Sequence, residues 1–348
     1  MKTLAYLLSL LLGATGSSAS WIIGAGQATS SRPRPAQRTA QGPQPVRLAP
    51  KFNPGNVLRY QMEFRTTTEG HRTGLVQDPQ APTKLELTWA AVLRIEVLTV
   101  EAPASPSAPG GLTRLRATYE RSVSTARSDT YDPQGASLEA EYQKLQGRSV
   151  EFTLDADGKV QDVSGLQEIL NDEQAATSAR EWLGQLALGA TLPREGIVPG
   201  QKWSSELPAT SAPIAGLLWR SESTYLRDER CRPPEGAGIP SEGSLGRETC
   251  AVILTRFEIA QPHPPRDPTP DDYRRRGLRT AGKWGGSGEG LSYVSLRTGW
   301  VVSITQSSTE EMDVTVSTAD GSSGVRYAGH VRSESQVTLL PEAPPAPR

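Results

Sequence analysis

The side chains that could do chemistry in this chain are few and scattered. Histidine occurs three times, as His71, His263 and His330. No two of them stand four residues apart, and there is no HExxH segment to set two imidazoles and a base on one helical face. Metalloprotease chemistry of that kind is excluded. A Ser-His-Asp site assembles from distant segments, so spacing leaves it open. The obvious serine is Ser287, in Gly285-Gly286-Ser287-Gly288-Glu289. A nucleophile elbow needs glycine at the fifth place, which Glu289 occupies here. Lys283 precedes these glycines instead of following them, so the stretch is not a phosphate-binding loop. Its expected role is a flexible lead-in to a strand that begins at Leu291.

The carboxylates give no better constellation. Asp155-Ala156-Asp157-Gly158 starts like a calcium loop, but the twelfth position is Leu166 where a bidentate Glu is needed. A hairpin turn is the expectation. Glu310 and Glu311 are neighbours, and neighbours in a strand face opposite sides, so they cannot line one cleft together. Asp271-Asp272 and Arg274-Arg275-Arg276 fall in a Pro/Asp-rich stretch that reads as a solvated loop. His71 beside Gly70 reads as part of a polar turn, His263 lies among prolines, and His330 falls in a strand pattern. We therefore expect no catalytic, metal or cofactor residues. Cys231 and Cys250 are the two cysteines, and Arg232 to Thr249 between them is rich in Pro, Gly, Ser and Glu. In an oxidising compartment they are expected to form a disulfide across a loop between two strands.

The ends of the chain bear on that compartment. Lys2, the apolar run Leu4 to Thr15, and Ser18-Ala19-Ser20 have the layout of a secretory signal peptide over residues 1–20. The cleavage site holds no cysteine, so a lipoprotein is not expected. Trp21-Ile22-Ile23 follows, and Leu4 to Gly26 is long enough for a marginal anchor if cleavage fails. Residues 21–50 read as a disordered Pro/Arg-rich spacer and 341–348 as a disordered Pro/Ala tail. Seven basic residues precede the first acidic one, Glu63, which leaves 30 of the 37 basic residues against all 38 acidic ones. So acidic a body argues against nucleic acid as a partner.

The elements that must position any site are strands. Leu85, Leu87, Trp89, Ala91, Leu93, Ile95 and Val97 alternate with Glu86, Thr88, Arg94 and Glu96, the pattern of a long half-buried antiparallel strand. Trp89 falls on its apolar face. Similar alternation runs over Leu58 to Phe64, Leu115 to Val123, Val150 to Leu154, Ala251 to Ile259, Trp300 to Ile304, Met312 to Val316 and Val325 to Leu339. Asp157-Gly158 and Thr298-Gly299 mark two hairpins. The fold class expected is mainly β: long curved antiparallel sheets, as an open barrel or a large sandwich. One helical segment is expected near 164–188, where Leu166, Ile169, Leu170, Leu183 and Leu186 are helically spaced. It splits the chain into a β region at 51–190, ending in that helix, and a second at 191–340. Pro54-Gly55 opens the first and Pro199-Gly200 the second.

The Pro-Gly openings, Phe152-Thr153-Leu154 with Asp157-Gly158-Lys159-Val160, Leu192-Pro193 with Pro199-Gly200-Gln201-Lys202-Trp203, and Leu296-Arg297-Thr298-Gly299-Trp300 together resemble a family of exported bacterial proteins of unknown function. The resemblance covers most of residues 50–340. It implies export and a β-rich body, and it brings no catalytic residue. The expected function is a non-enzymatic binding or interaction module of the cell envelope, periplasmic or extracellular. Its partner would be a lipid, another apolar partner or an envelope protein, held on a concave apolar face. The alternatives are a hydrolase, which needs one of the histidines within reach of a serine, and a structural or adhesive surface module.

Overall fold

The computed structural model describes residues 44–74, 84–101, 111–129, 139–155, 160–165, 192–193, 195–209, 212–231 and 248–341. The expected signal peptide, most of the spacer, the helical segment beyond residue 165 and the tail after residue 341 lie outside the described residues.

Eleven strands form one antiparallel sheet. They are β1 Val57–Gly74, β2 Lys84–Val100, β3 Thr113–Ser128, β4 Ser149–Leu154, β5 Val160–Ser164, β6 Lys202–Pro208, β7 Leu218–Arg230, β8 Thr249–Ala260, β9 Leu278–Ser295, β10 Val301–Thr318 and β11 Gly324–Leu339. Their order is β5-β4-β3-β2-β1-β11-β10-β9-β8-β7-β6. Strands adjacent in the sheet are sequence neighbours except at the centre, where β1 lies against β11 and joins the two β regions in one sheet. The sheet is open, with β5 and β6 at its edges. The expected mainly β fold of long antiparallel strands is thus what forms, as a single sheet. Two short helices occur among the described residues, α1 at 139–143 and α2 at Asp271–Arg275.

Period-2 alternation gives the sheet two unlike faces. On the covered face the even residues of β1 (Leu58, Tyr60, Met62, Phe64) meet the odd residues of β2 (Leu87, Trp89, Ala91, Leu93, Ile95, Val97), with Leu115, Val150, Phe152 and Leu154 beyond them, all buried. Helix α1 caps this core with Tyr142. Ser122 Oγ accepts the Trp89 indole N–H at 2.9 Å and donates to the Tyr142 carbonyl at 2.6 Å. Further along, residues 44–50 lie against this face. Val46 exchanges both backbone hydrogen bonds with Ile197, and Leu48 packs with Tyr225, Ala251, Ile253 and Val294.

The Pro-Gly turns do open strands, and in the same way. Gly55 and Gly200 have φ of 83° and 87°. The Gly55 N–H donates to the Val97 carbonyl in β2, and the Gly200 N–H to the Tyr225 carbonyl in β7. The Thr298-Gly299 hairpin also forms, with Gly299 at φ 69° and its N–H donating to the Ser295 carbonyl.

Three local readings are corrected. His71 sits inside β1, opposite Ala328, not in a turn. The residues 271–276 are not all loop: α2 forms over Asp271–Arg275, with the i,i+3 pairs Asp271–Arg274 and Asp272–Arg275. The glycine-rich stretch is not a flexible lead-in but the middle of β9. Its glycines make room on the covered face. A Cβ at Gly286 would stand 2.6 Å from Glu310 Cγ, and one at Gly288 would overlap the Phe257 ring.

Candidate functional site

The uncovered face of the sheet is polar and bears a ladder of ion pairs. Arg59 meets Glu120 at 2.6 Å, Arg114 and Arg116 share Glu151 at 2.6 Å, and Arg326 grips Asp313 at 2.7 Å. The Arg326 hydrogen bond holds the Asp313 carboxyl below the usual range. Such exposed pairs are screened by solvent, so the ladder does little for stability.

This polar face is hollowed into a trough. Two adjacent rows of side chains cross it strand by strand. One runs Val123, Ala90, Glu63, Gln336, Thr305, Leu291, Leu254, from β3 through β2, β1, β11, β10 and β9 to β8. The other runs Thr125, Thr88, Arg65, Glu334, Ser307, Glu289. All thirteen residues line a single depression of about 690 Å³. In a flat sheet β3 and β8 would stand about 29 Å apart, six strand spacings of roughly 4.8 Å. One depression that touches both means that the sheet bends around its polar face. Bulges lie on both sides of the bend, in the β2/β3 and β7/β8 ladders, and bulges increase local bending.

Two more depressions continue the trough along the strands, of about 700 and 970 Å³. They share Arg65 and Glu334 with the first, or Glu69, Glu311 and His330 with each other. From Glu63 to His71 the trough spans eight residues of β1, about 26 Å at roughly 3.3 Å per residue. Its carboxylates on the polar face are Glu63, Glu69, Glu86, Glu258, Glu289, Glu311, Asp313 and Glu334; Arg65, Lys84, Lys283 and Arg332 share the lining, and Arg220, Arg256 and Arg326 pair with Glu258, Glu289 and Asp313. Apolar side chains stand on opposite walls, with Val123 (41% exposed) and Ala90 on one and Leu254 and Leu291 on the other. The disulfide lies on the same face. Cys231 and Cys250, with Cα atoms 5.0 Å apart, pack with Val302 and Tyr293.

No catalytic arrangement comes together among the described residues. His71 and His330 are exposed in the trough, and His263 is exposed in the loop before α2. His330 Nδ1 lies 3.6 Å from Glu311 Oε1. Ser287 lines the same depression as His71 and His330, yet no hydrogen bond joins a histidine to a serine among the described residues. No group of three or more His, Cys, Asp or Glu able to hold a metal ion occurs among the described residues. No helix among them is long and apolar enough to cross a membrane.

The adjacent acids part as their strand position requires. Glu311 faces the trough, while Glu310 is 3% exposed on the covered face. The Trp284 indole N–H donates to Glu310 Oε2 at 3.0 Å, and Oε1 has no partner. Burial pushes this carboxyl up to about 7, against the smaller opposing effect of the Trp284 hydrogen bond. Asp155 accepts from Gln161 Nε2 at 2.7 Å, across the β4–β5 hairpin. The turn at 156–159 lies outside the described residues.

The residues that the sequence did not mark are Glu63, Arg65, Glu289 and Glu334. Each reads as one more polar position of an alternating strand.

No family model matches the chain, and no curated protein matches it. Among the solved structures that match is one described as lipid-protein interactions in lipovitellin, at 12% identity and a TM-score of 0.41. The match covers 85% of this chain and 27% of that one, so the chain spans about a quarter of its length. So loose a likeness carries neither fold detail nor ligand across.

Proposed function

We propose that this chain is an exported, non-catalytic binding module that receives its partner along the polar trough. The trough itself carries this reading: a surface that bends across seven strands and stays open along its length. It sets apolar side chains on both walls above a floor of carboxylates and a few guanidinium groups. This suits a partner with both apolar and polar groups, including the apolar partner or envelope protein expected from the sequence. Export is supported by the leader-like first 20 residues, by the Cys231–Cys250 disulfide and by the resemblance to exported bacterial proteins.

Carbodiimide labelling of carboxylates, in intact cells and in the purified protein, tests the reading without knowledge of the partner. Glu63, Glu289 and Glu334 are expected to be protected in cells and labelled after purification. Glu101, exposed beyond the end of β2, serves as the control and is expected to label in both. Equal labelling of all four in both settings would overturn the trough as the working surface.

A further inference from the structure

We infer that the edge strand β6 pairs antiparallel with β6 of a second copy of this chain, about a two-fold axis at Ser204, which joins two sheets edge to edge. The two edges of the sheet differ. β5 is five residues long, and its ladder to β4 is irregular between Phe152 and Leu154. Short or bulged edges are poor templates for a new strand. β6 keeps an unbroken register with β7 over all seven residues, from Lys202 opposite Thr224 to Pro208 opposite Leu218. Just past its end the Ala209 N–H donates to the Leu217 carbonyl, and just before its start the Tyr225 N–H donates to the Gln201 carbonyl. Hydrogen-bonded and non-hydrogen-bonded pairs alternate in an antiparallel ladder. The odd residues of β6 therefore exchange their bonds with β7, and the even ones, Lys202, Ser204 and Glu206, turn their N–H and C=O groups outward. No backbone bond joins those outward groups to any other described residue, and the three residues are exposed.

This edge is self-complementary in one register. With the axis at Ser204, Lys202 faces Glu206 of the second copy, Ser204 faces Ser204, and Glu206 faces Lys202. All three pairs turn both N–H groups and both carbonyls toward the seam, and each exchanges two hydrogen bonds. Moving the axis one residue either way loses a pair. At Trp203 the register requires Gly200, whose N–H is already given to the Tyr225 carbonyl, and at Ser205 it requires Pro208, which has no N–H. Moving it to Lys202 or Glu206 sets like charges directly opposite, which is destabilising. The main-chain bonds drive the association, as in any addition of a strand to an open edge. The charges only choose the register, because Lys202 is already paired with Glu222 at 3.0 Å and Glu206 with Arg220 at 2.9 Å. Across the seam the row reads Glu222, Lys202, then Glu206 and Arg220 of the second copy, with no like charges side by side. The axis stands perpendicular to the sheet, so both polar faces lie on one side and the two troughs open in the same direction.

Sedimentation velocity of the purified full chain, at concentrations up to about 100 μM, tests the pairing. The wild type is expected to form dimers. S204P removes an N–H that no described residue uses, so the fold should stand. The dimer dissociation constant should then rise about thirtyfold, for the two hydrogen bonds lost at the axis. S205P removes an N–H that bonds to β7, and it should lower the unfolding midpoint that S204P leaves in place. A short bismaleimide should join S204C between copies, and it should not join S164C on the β5 edge. A wild type that stays monomeric overturns the inference. So does a dimer that S204P leaves intact, or one that is linked through S164C in place of S204C.

Discussion

Glu310 should make the stability of this protein fall as pH rises through neutrality. By register it faces Gly286 on β9 and Val331 on β11, with Ser308 and Met312 beside it on its own strand face, and none of these is charged. Burial alone raises its pKa from 4.5 to about 7. Below about pH 4.5 the folded and unfolded chains both hold this proton. Between 4.5 and 7 only the folded chain holds it, so every rise in pH favours unfolding. Above 7 both states are ionised and the cost is complete. At about 1.36 kcal/mol per pH unit the shift amounts to about 3 kcal/mol. Glu310→Gln removes the proton and keeps an acceptor for the Trp284 N–H. The protonated acid leaves one donor unpaired and the amide two, an offset that is the same at every pH. Between about pH 4 and pH 8 the variant should gain about 3 kcal/mol of stability relative to the wild type. Urea unfolding followed by tryptophan fluorescence at both pH values measures the difference, and the other carboxylates cancel between the two proteins. A difference that does not change with pH would refute the reasoning. A wild type that gains stability relative to the variant as pH rises would mean that a cation pairs with Glu310 in the folded state.

Three further outcomes follow from the covered face and the disulfide. Gly286→Ala should cost roughly 1–3 kcal/mol by overpacking, because its Cβ would stand 2.6 Å from Glu310 Cγ and 2.7 Å from the Thr309 carbonyl. Gly290→Ala, with nothing nearer than 3.4 Å, should cost less, and scanning calorimetry of the pair tests the difference. Ser122→Ala leaves the Trp89 N–H and the Tyr142 carbonyl without this hydroxyl, a loss of about 1–3 kcal/mol readable as a shift in urea midpoint. Replacing Cys231 and Cys250 by serine should cost about 3 kcal/mol on the loop-entropy model, and reduction of the wild type should reproduce that loss.

The strands that alternation revealed are those whose covered face is made of large apolar residues. β2 is legible because seven odd positions in a row are apolar, and β11 because valine and leucine recur. β7 is illegible for the opposite reason. Its covered face reads Trp219, Ser221, Ser223, Tyr225, with Ser221 and Ser223 each 8% exposed and paired by hydroxyl contacts to Ser205 and Thr255. Hydroxyls that satisfy each other cost little to bury, and they carry no hydrophobic signature. The first half of β9 is illegible for the same reason: its covered face there includes Gly286, Gly288 and Gly290, where the bulk comes from Glu310 and Phe257 on the flanking strands. Helix α1, five residues long, is too short to show a helical period. It is held by what it packs on, Ser122, Ser124 and Trp89, and not by its own periodicity.

The trough was illegible for a deeper reason. Alternation separates two faces but does not say toward which one a sheet bends, and the usual presumption is that it bends toward the apolar side. Here part of the apolar side is occupied by its own chain: α1 packs on β2 and β3, residues 44–50 on β7 to β9, and the segment around Ala212, Ile214 and Leu217 on β7 to β10. The depression that crosses seven strands lies on the polar face. The rows that line it take one residue from each strand, so Glu63 and Gln336 are adjacent in space and far apart in sequence. Such a site has no spacing to detect. It is assembled by the β1–β11 pairing, the one contact in the sheet that does not join sequence neighbours. Any function placed in the trough therefore depends on that central seam, because without β1 against β11 no row crosses from one β region to the other.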